Sequence, residues 1–281
     1  MLPNTSMTFS TPCAFMAKPP LVPLLRHHHR HHLTNPPRIR RRPPHYGALY
    51  QFTTSSSEFD KDYSKFQDND ADANARSQFG TKSYWDAMYE GMGDFDANEY
   101  SWYYGFEVVK PYLLDYTAAD DDADNKQDKS TISILIPGCG NDPLLLDMYN
   151  AGYQRLTAFD YSEGAIERQN SLLEYLPMGS NLDSVALTVE DARALPKEWE
   201  QSFDVIIEKG ALDAIYLSGD GNFEESVKEF LRCLKVGGVC MSFSGVVPED
   251  VRREGFDEVN WEWLRDGSDD LKAGCFVLRK I

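Results

Sequence analysis

Residues 131 to 143 read Thr131-Ile132-Ser133-Ile134-Leu135-Ile136-Pro137-Gly138-Cys139-Gly140-Asn141-Asp142-Pro143, and their reading decides the fold. Five of the first six are β-branched or apolar, which predicts a strand buried on both faces, as in a parallel sheet. The run stops at Pro137. Gly138-Cys139-Gly140 then predicts a tight turn whose missing side chains let the backbone approach a ligand, and Asn141 or Asp142 can cap the helix that follows. Strand, Gly-x-Gly turn and helix form the opening of a nucleotide site.

The dinucleotide fingerprint Gly-x-Gly-x-x-Gly requires a glycine where this chain has Pro143, so a nicotinamide or flavin site loses ground. The next predicted strand, Leu156-Thr157-Ala158-Phe159-Asp160, ends in an acid 22 residues past Gly138. That spacing suits a carboxylate accepting hydrogen bonds from both hydroxyls of a ribose. A third strand end, Val189-Glu190-Asp191-Ala192, places an acid where an adenine amino group could be read. Three such ends in order point to S-adenosylmethionine, because an anionic pyrophosphate would be repelled by these carboxylates and a sulfonium cation would not.

The 281 residues suffice for one large α/β domain with appendages. Charge is divided sharply along them. Residues 1–57 hold no Asp or Glu and seven basic residues, so the overall −17 leaves −24 on the other 224. An acidic body of this kind argues against nucleic-acid binding and suits a basic protein substrate. Five cysteines without paired metal spacing indicate neither a disulfide framework nor a zinc site, and a reduced compartment is expected. No apolar run approaches the ~20 residues that cross a bilayer, so a soluble protein without a membrane partner is expected, and a monomer.

Residues 1–57 are Pro-rich, basic and acid-free, which predicts a disordered segment resembling an organelle transit peptide for a mitochondrion or plastid; a tail that targets nothing, with a cytoplasmic protein, is the alternative. Its cluster His27-His28-His29-Arg30-His31-His32 reads as a solvated low-complexity run. Residues 58–78 read as an acidic linker. From Phe79 onward the chain is ordered: Tyr84, Trp85, Met88 and Tyr89 fall on one helical face, which either covers a ligand or packs on the sheet. A helix is predicted over 106–116, within a helical lid of residues 79–116, followed by an acidic loop at 117–130.

Beyond it βα units alternate: helix 143–151, a strand ending at Asp160, helix 163–173, strand 184–190, strand 203–207, helix 223–234 and strand 239–244. A short helix after Pro248 leads to an antiparallel pair, 256–264 and 273–280, hinged at Asp266-Gly267-Ser268. The expected fold is α/β and Rossmann-like, a seven-stranded sheet of five parallel strands plus a C-terminal antiparallel hairpin, with helices on both faces and the lid at its N-terminal side.

Methyl transfer from a sulfonium is an in-line displacement, which asks for alignment and exclusion of water and needs no base if the nucleophile arrives uncharged. All six histidines lie in the first 45 residues, so the folded body offers no histidine base and Ser-His hydrolase chemistry is disfavoured. Glu208 and Asp213, at the mouth of the fourth strand, are the catalytic candidates, able to orient a substrate ammonium or accept its proton; the alternative is that they are loop or cap carboxylates.

These residues resemble the class I, seven-stranded S-adenosylmethionine-dependent methyltransferases, and within them the methyltransferase-like branch containing elongation factor 1A lysine methyltransferases and citrate synthase lysine methyltransferase. The resemblance spans 79–279. It rests on Tyr84-Trp85-Asp86 with Tyr89, Trp102-Tyr103, Gly138-Cys139-Gly140-Asn141, Asp160-Tyr161-Ser162, and Glu208-Lys209-Gly210-Ala211-Leu212-Asp213-Ala214, the last most specific to the branch. It implies that Trp85, Tyr89 and Trp102 form an aromatic lid on the donor, with Gly138 and Gly140 under its amino-acid portion. Asp160 and Tyr161 would lie at ribose and adenine, Asp191 and Ala192 at the adenine edge, and Lys209 beside the methionine end. No metal is implied. Aromatic faces attract a sulfonium as they do other cations. The lid departs from the family pattern, with Ser101 before Trp102 and Tyr104 inserted before Gly105. The implied activity is methyl transfer to a protein lysine; a small-molecule N- or O-methyltransferase and a silent binding protein with the same fold remain the alternatives.

Overall fold

A computed structural model of the chain describes residues 74–91, 101–117, 128–267, 271 and 273–281. The transit-peptide, histidine-cluster and most linker assignments, and the acidic loop through 118–127, lie outside the described residues. Ordered structure extends further N-terminally than the linker reading has it. Ala75 and Ser77 are buried, and Gln78–Gly80 forms a 3-10 turn.

Two helices precede the sheet. In α1 (Lys82–Tyr89) the Thr81 side chain accepts from the Tyr84 N–H as an N-cap. In α2 (Phe106–Thr117) Phe106, Val109, Leu113 and Thr117 are buried at helical spacing. The strand predicted at the glycine turn is β1 (Ser133–Pro137), buried over its last four residues. It leads to α3 (Leu144–Asn150), whose Leu144 N–H is taken by the Asp142 side chain. Next come β2 (Arg155–Asp160), α4 (Glu163–Leu173) and β3 (Val185–Val189). The chain continues through β4 (Phe203–Lys209), α5 (Ala211–Ser218) and α6 (Asn222–Cys233). It ends with β5 (Leu234–Ser244), α7 (Glu249–Gly255), β6 (Trp261–Asp266) and β7 (Gly274–Lys280).

The strands form one sheet in the order β3-β2-β1-β4-β5-β7-β6, the first five parallel and β7 antiparallel to both neighbours. Strand alternation divides the core between the two faces. Ile134 and Ile136 pack with Val109, Leu113 and Met148 on one side, while Leu135 and Ile206 pack with Phe223, Val227 and Phe230 of α6 on the other. The expected fold is therefore the observed one.

Two strand starts and one helix differ from the sequence reading. Strand β5 starts at Leu234, which pairs with Phe203, and residues 235–238 bulge out before Val239 pairs with Val205. Strand β6 begins only at Trp261, because Asp257 accepts from the N–H groups of Val259 and Asn260 and holds 257–260 in a turn. Helix α5, unforeseen, follows β4 directly through Gly210, whose φ is +82°.

Candidate active site

The chain reverses its direction of winding between β1 and β4, so the C-terminal ends of these neighbours leave a crevice, the usual ligand position of an open α/β sheet. A cavity of about 550 Å³ occupies it, within the range of small-molecule sites. One half of its wall comes from β1, β2 and the end of β3; the other comes from β4, α5, α1 and residue 102.

In the first half, Gly138 and Gly140 have φ of +56° and +52°. Side chains there would be strained and crowded: a Cβ on Gly138 would lie 2.6 Å from the Ala211 Cβ, and one on Gly140 2.8 Å from the Tyr89 hydroxyl oxygen. Buried Gln169 supports the turn from below, its Nε2 lying 3.3, 2.8 and 2.8 Å from the carbonyl oxygens of Cys139, Gly140 and Asp142. Asp160, 3% exposed, accepts from the Gly140 N–H and the Ser162 N–H, each at 3.0 Å. Those bonds leave lone pairs on both carboxylate oxygens. Burial raises the Asp160 carboxyl to about 6, against the lowering effect of the two N–H groups.

The Tyr161 hydroxyl donates to the Thr81 carbonyl at 3.4 Å. Asp191 receives the Arg193 guanidinium through Nε and Nη2 at 2.6 to 3.1 Å. Burial works upward on the Asp191 carboxyl, but the Arg193 hydrogen bonds and charge outweigh it and hold it below its ordinary value. Ala192 is buried beside it.

The lid closes the other half. Trp85 stacks on Tyr89 with centroids 6.2 Å apart and meets Trp102 edge-on at 5.7 Å. The Trp85 Nε1–H donates to the Phe79 carbonyl, and Ser162 Oγ donates to Asp86 at 2.6 Å, fastening α1 to the start of α4. Lys209, 9% exposed, donates from Nζ to the Asp142 carboxylate and, at 2.6 Å, to the Trp102 carbonyl. That same carbonyl accepts the Tyr104 N–H at 2.9 Å, closing a three-residue turn with Tyr103 at its centre at φ +64°. A non-glycine residue held there carries roughly 1–3 kcal/mol of strain and persists only where its surroundings fix it.

All ten residues expected around the donor, Trp85, Tyr89, Trp102, Gly138, Gly140, Asp160, Tyr161, Asp191, Ala192 and Lys209, line this cavity. Glu208 and Asp213 do not. Glu208 is fully buried on the opposite side of β4, accepting from Ser242 Oγ and from the Leu212 N–H at 3.1 Å. Burial, and after it the charge of Asp213, pushes its carboxyl up to about 7. Asp213 accepts from the Tyr103 and Ser244 hydroxyls and from the N–H groups of Gly245, Val246 and Val247. Sequence reasoning missed Gln169 and Arg193, which no local pattern marks. It named Asp142 only as a cap, although its partner Lys209 stood in the motif.

The residues present fit S-adenosylmethionine: a side-chain-free cradle, an acid with unused lone pairs at the end of β2, and aromatic faces opposite. Glycine turn, acid-tipped second strand and reversed C-terminal hairpin together define the seven-stranded methyltransferase fold.

Sequence comparison with known proteins agrees. A family model described as "Methyltransferase domain" matches residues 128–266. The eEF1A lysine and N-terminal methyltransferase homolog of Drosophila melanogaster is 28% identical over 174 residues, 58% of this chain and 22% of that protein. EEF1A lysine methyltransferase 4 of Mus musculus is 26% identical over 196 residues, 66% of this chain and 69% of that one. A solved structure of magnesium protoporphyrin IX methyltransferase (ChlM) from Synechocystis PCC 6803 with bound SAM is 15% identical, with a TM-score of 0.47 over 62% of this chain and 79% of that one. The chain spans 22% of the length of the first relatives it matches, both from Drosophila. Residues 128–266 are a methyltransferase domain.

Proposed function

We propose that this protein transfers a methyl group from S-adenosylmethionine to the side-chain amine of a lysine in a protein substrate. The observation carrying the donor half is the convergence on one cavity of the glycine turn, the open lone pairs of Asp160 and the aromatic faces of Trp85 and Trp102. In this reading Gly138, Gly140 and Lys209 hold the methionine portion, Asp160 the ribose hydroxyls, and Tyr161, Asp191 and Ala192 the adenine. When bound, the donor supplies a methyl group on a sulfonium, open to in-line displacement by a neutral amine.

The lysine acceptor is supported by the relatives, whose names assign them to eEF1A lysine, and by the −24 charge of residues 58–281, which favours a basic protein partner. Glu208 and Asp213 both face away from the cavity, so in this scheme the amine arrives neutral and neither of them acts as its base.

The test is incubation of the purified protein with methyl-labelled S-adenosylmethionine and a cell extract. Label is expected in one or a few protein bands, as methyl-lysine after hydrolysis, and absent with Asp160→Ala. Label confined to the small-molecule fraction replaces the lysine with a metabolite acceptor; none anywhere leaves a binding protein. The basic, acid-free residues 1–57 support delivery to a mitochondrion or plastid, and a fused reporter that stays diffuse in the cytosol overturns that.

A further inference from the structure

The lid turn is held at three consecutive side chains, each on a different part of the fold. The Trp102 indole lies on Gly210, where a Cβ would stand 2.3 Å from its Cδ1. The Tyr104 hydroxyl accepts the Ala273 N–H at 2.6 Å and donates to the Ala273 carbonyl at 3.2 Å. Between them, Tyr103 reaches away from the cavity and donates from its hydroxyl to Asp213 Oδ2 at 2.5 Å. Its oxygen passes so close to Gly245 that a Cβ there would be 3.1 Å away.

Asp213 is 3% exposed and gathers the loop after β5 through Ser244 Oγ and three successive N–H groups, at 2.5 to 3.2 Å. Buried Arg252 braces the same loop by donating to Ser244 Oγ and the Val247 carbonyl. Four of the donors to Asp213 thus belong to the last residue of β5 and the loop after it, and the fifth is the lid. A buried carboxylate already satisfied by a loop does not require a tyrosine. The tyrosine uses it: Tyr103 sits at φ +64°, and its hydroxyl bond is the side-chain contact at the strained residue itself, beside the flanking contacts of Trp102 and Tyr104. Were that bond lost, the turn would relax, and the Trp102 carbonyl would leave Lys209.

We propose that the Tyr103–Asp213 hydrogen bond is a latch that holds the 101–105 turn over the methyl-transfer end of the cavity, making both residues positioning residues that act through Trp102 and Lys209. The proposal rests on the methyltransferase reading above. It gives Asp213 a task from outside the cavity. The latch sets the lid against which an acceptor amine is aligned and, through Trp102 and Lys209, the methionine end of the donor site; the glycine turn and Asp160, on β1 and β2, are not part of it.

The test uses the full chain and Tyr103→Phe, which removes only the hydroxyl, with Gly245→Ala as a second route that crowds the latch from the far side. Hydrogen exchange is measured without ligand, S-adenosylmethionine affinity by titration calorimetry, and methyl incorporation into extract protein at saturating donor. In Tyr103→Phe, amide exchange in 101–105 is expected to rise at least tenfold with 138–142 unchanged, donor affinity to weaken severalfold through Trp102 and Lys209, and incorporation at saturating donor to fall about tenfold. Gly245→Ala should move the same quantities in the same direction, less far. Unchanged exchange in 101–105, or equal loss of protection in 138–142, overturns the latch. If the parent protein incorporates no label but exchange responds as described, the latch stands and the methyl-transfer reading fails.

Discussion

Asp160 and Glu208 both stand near the C-terminal ends of parallel strands, both are buried, and burial raises both carboxyls, to about 6 and about 7. Only Asp160 meets the cavity. Its partners are two backbone N–H groups of the ligand turn and the following helix, and its remaining lone pairs open inward. Glu208 is turned to the other face, where Ser242 and the first turn of α5 satisfy it. The contrast teaches that an acid at a strand end is a ligand residue or a structural one according to the face its position presents. Glu208 and Lys209 are adjacent in β4, so alternation lets one of them face the cavity, and it is Lys209.

The comparison breaks most readily at Asp160. Asp160→Ala removes the acceptor proposed for the donor's ribose and unties Gly140 and Ser162. Binding of S-adenosylmethionine should weaken about 100-fold or more, on the order of two charge-assisted hydrogen bonds at about 1.5–3 kcal/mol each. Calorimetry showing less than a tenfold change would remove Asp160 from the donor site.

Glu208 should answer in stability, not binding. Below its unfolded value of 4.5 the carboxyl is protonated in both states and carries no penalty. As pH rises towards 7 the unfolded chain ionises freely while the folded chain must keep the proton or bury a charge, so stability is lost across that window, by about 3 kcal/mol in all. Glu208→Gln abolishes this dependence. Denaturant melts at pH 5 and pH 8 should show the variant gaining on the parent at the higher pH, with donor affinity equal in both proteins. A constant difference between the two melts would mean that Glu208 is ionised freely in the folded state.

Gly140→Ala sharpens the donor half. A side chain at φ +52° pressed against the Tyr89 hydroxyl should displace the turn or the lid. Roughly 1–2 kcal/mol of backbone strain corresponds to about tenfold weaker donor binding, measurable in the same titration.

The donor half was legible because its signals are local: an apolar run, two glycines and an acid at fixed spacing lie on consecutive elements that parallel pairing brings together. The lid was legible as an aromatic helical face, and its Trp102 from the motif. Helix α5 was not, because Ala-Leu-Asp-Ala-Ile-Tyr-Leu-Ser is apolar almost all round, which erases the polar stripe that marks a helix. Without α5, Asp213 could not be oriented. Ala211, Ala214, Ile215 and Ser218 face the cavity at helical spacing, which turns Asp213 towards Tyr103 and the β5 loop. Gln169 was beyond reach for a different reason: a buried amide spanning three carbonyls of another loop is a tertiary contact with no sequence period.

The smallest expected effect follows from the titration of Asp160 itself. The role proposed for it, holding ribose hydroxyls, needs the ionised form, an acceptor at both oxygens, whereas the protonated acid would turn one oxygen into a donor. Burial raises the folded carboxyl from 3.8 to about 6, so at pH 7 it is mostly ionised and at pH 5.5 mostly protonated. Donor affinity should therefore fall about fourfold between those values from this group alone, with the loss steepening as pH drops further. The Glu208→Gln variant should follow the same curve, since its missing charge lies behind the sheet. A donor affinity flat from pH 7 to 5.5 would mean that the Gly140 and Ser162 N–H groups outweigh burial and keep Asp160 ionised, an acceptor at both oxygens, throughout that range.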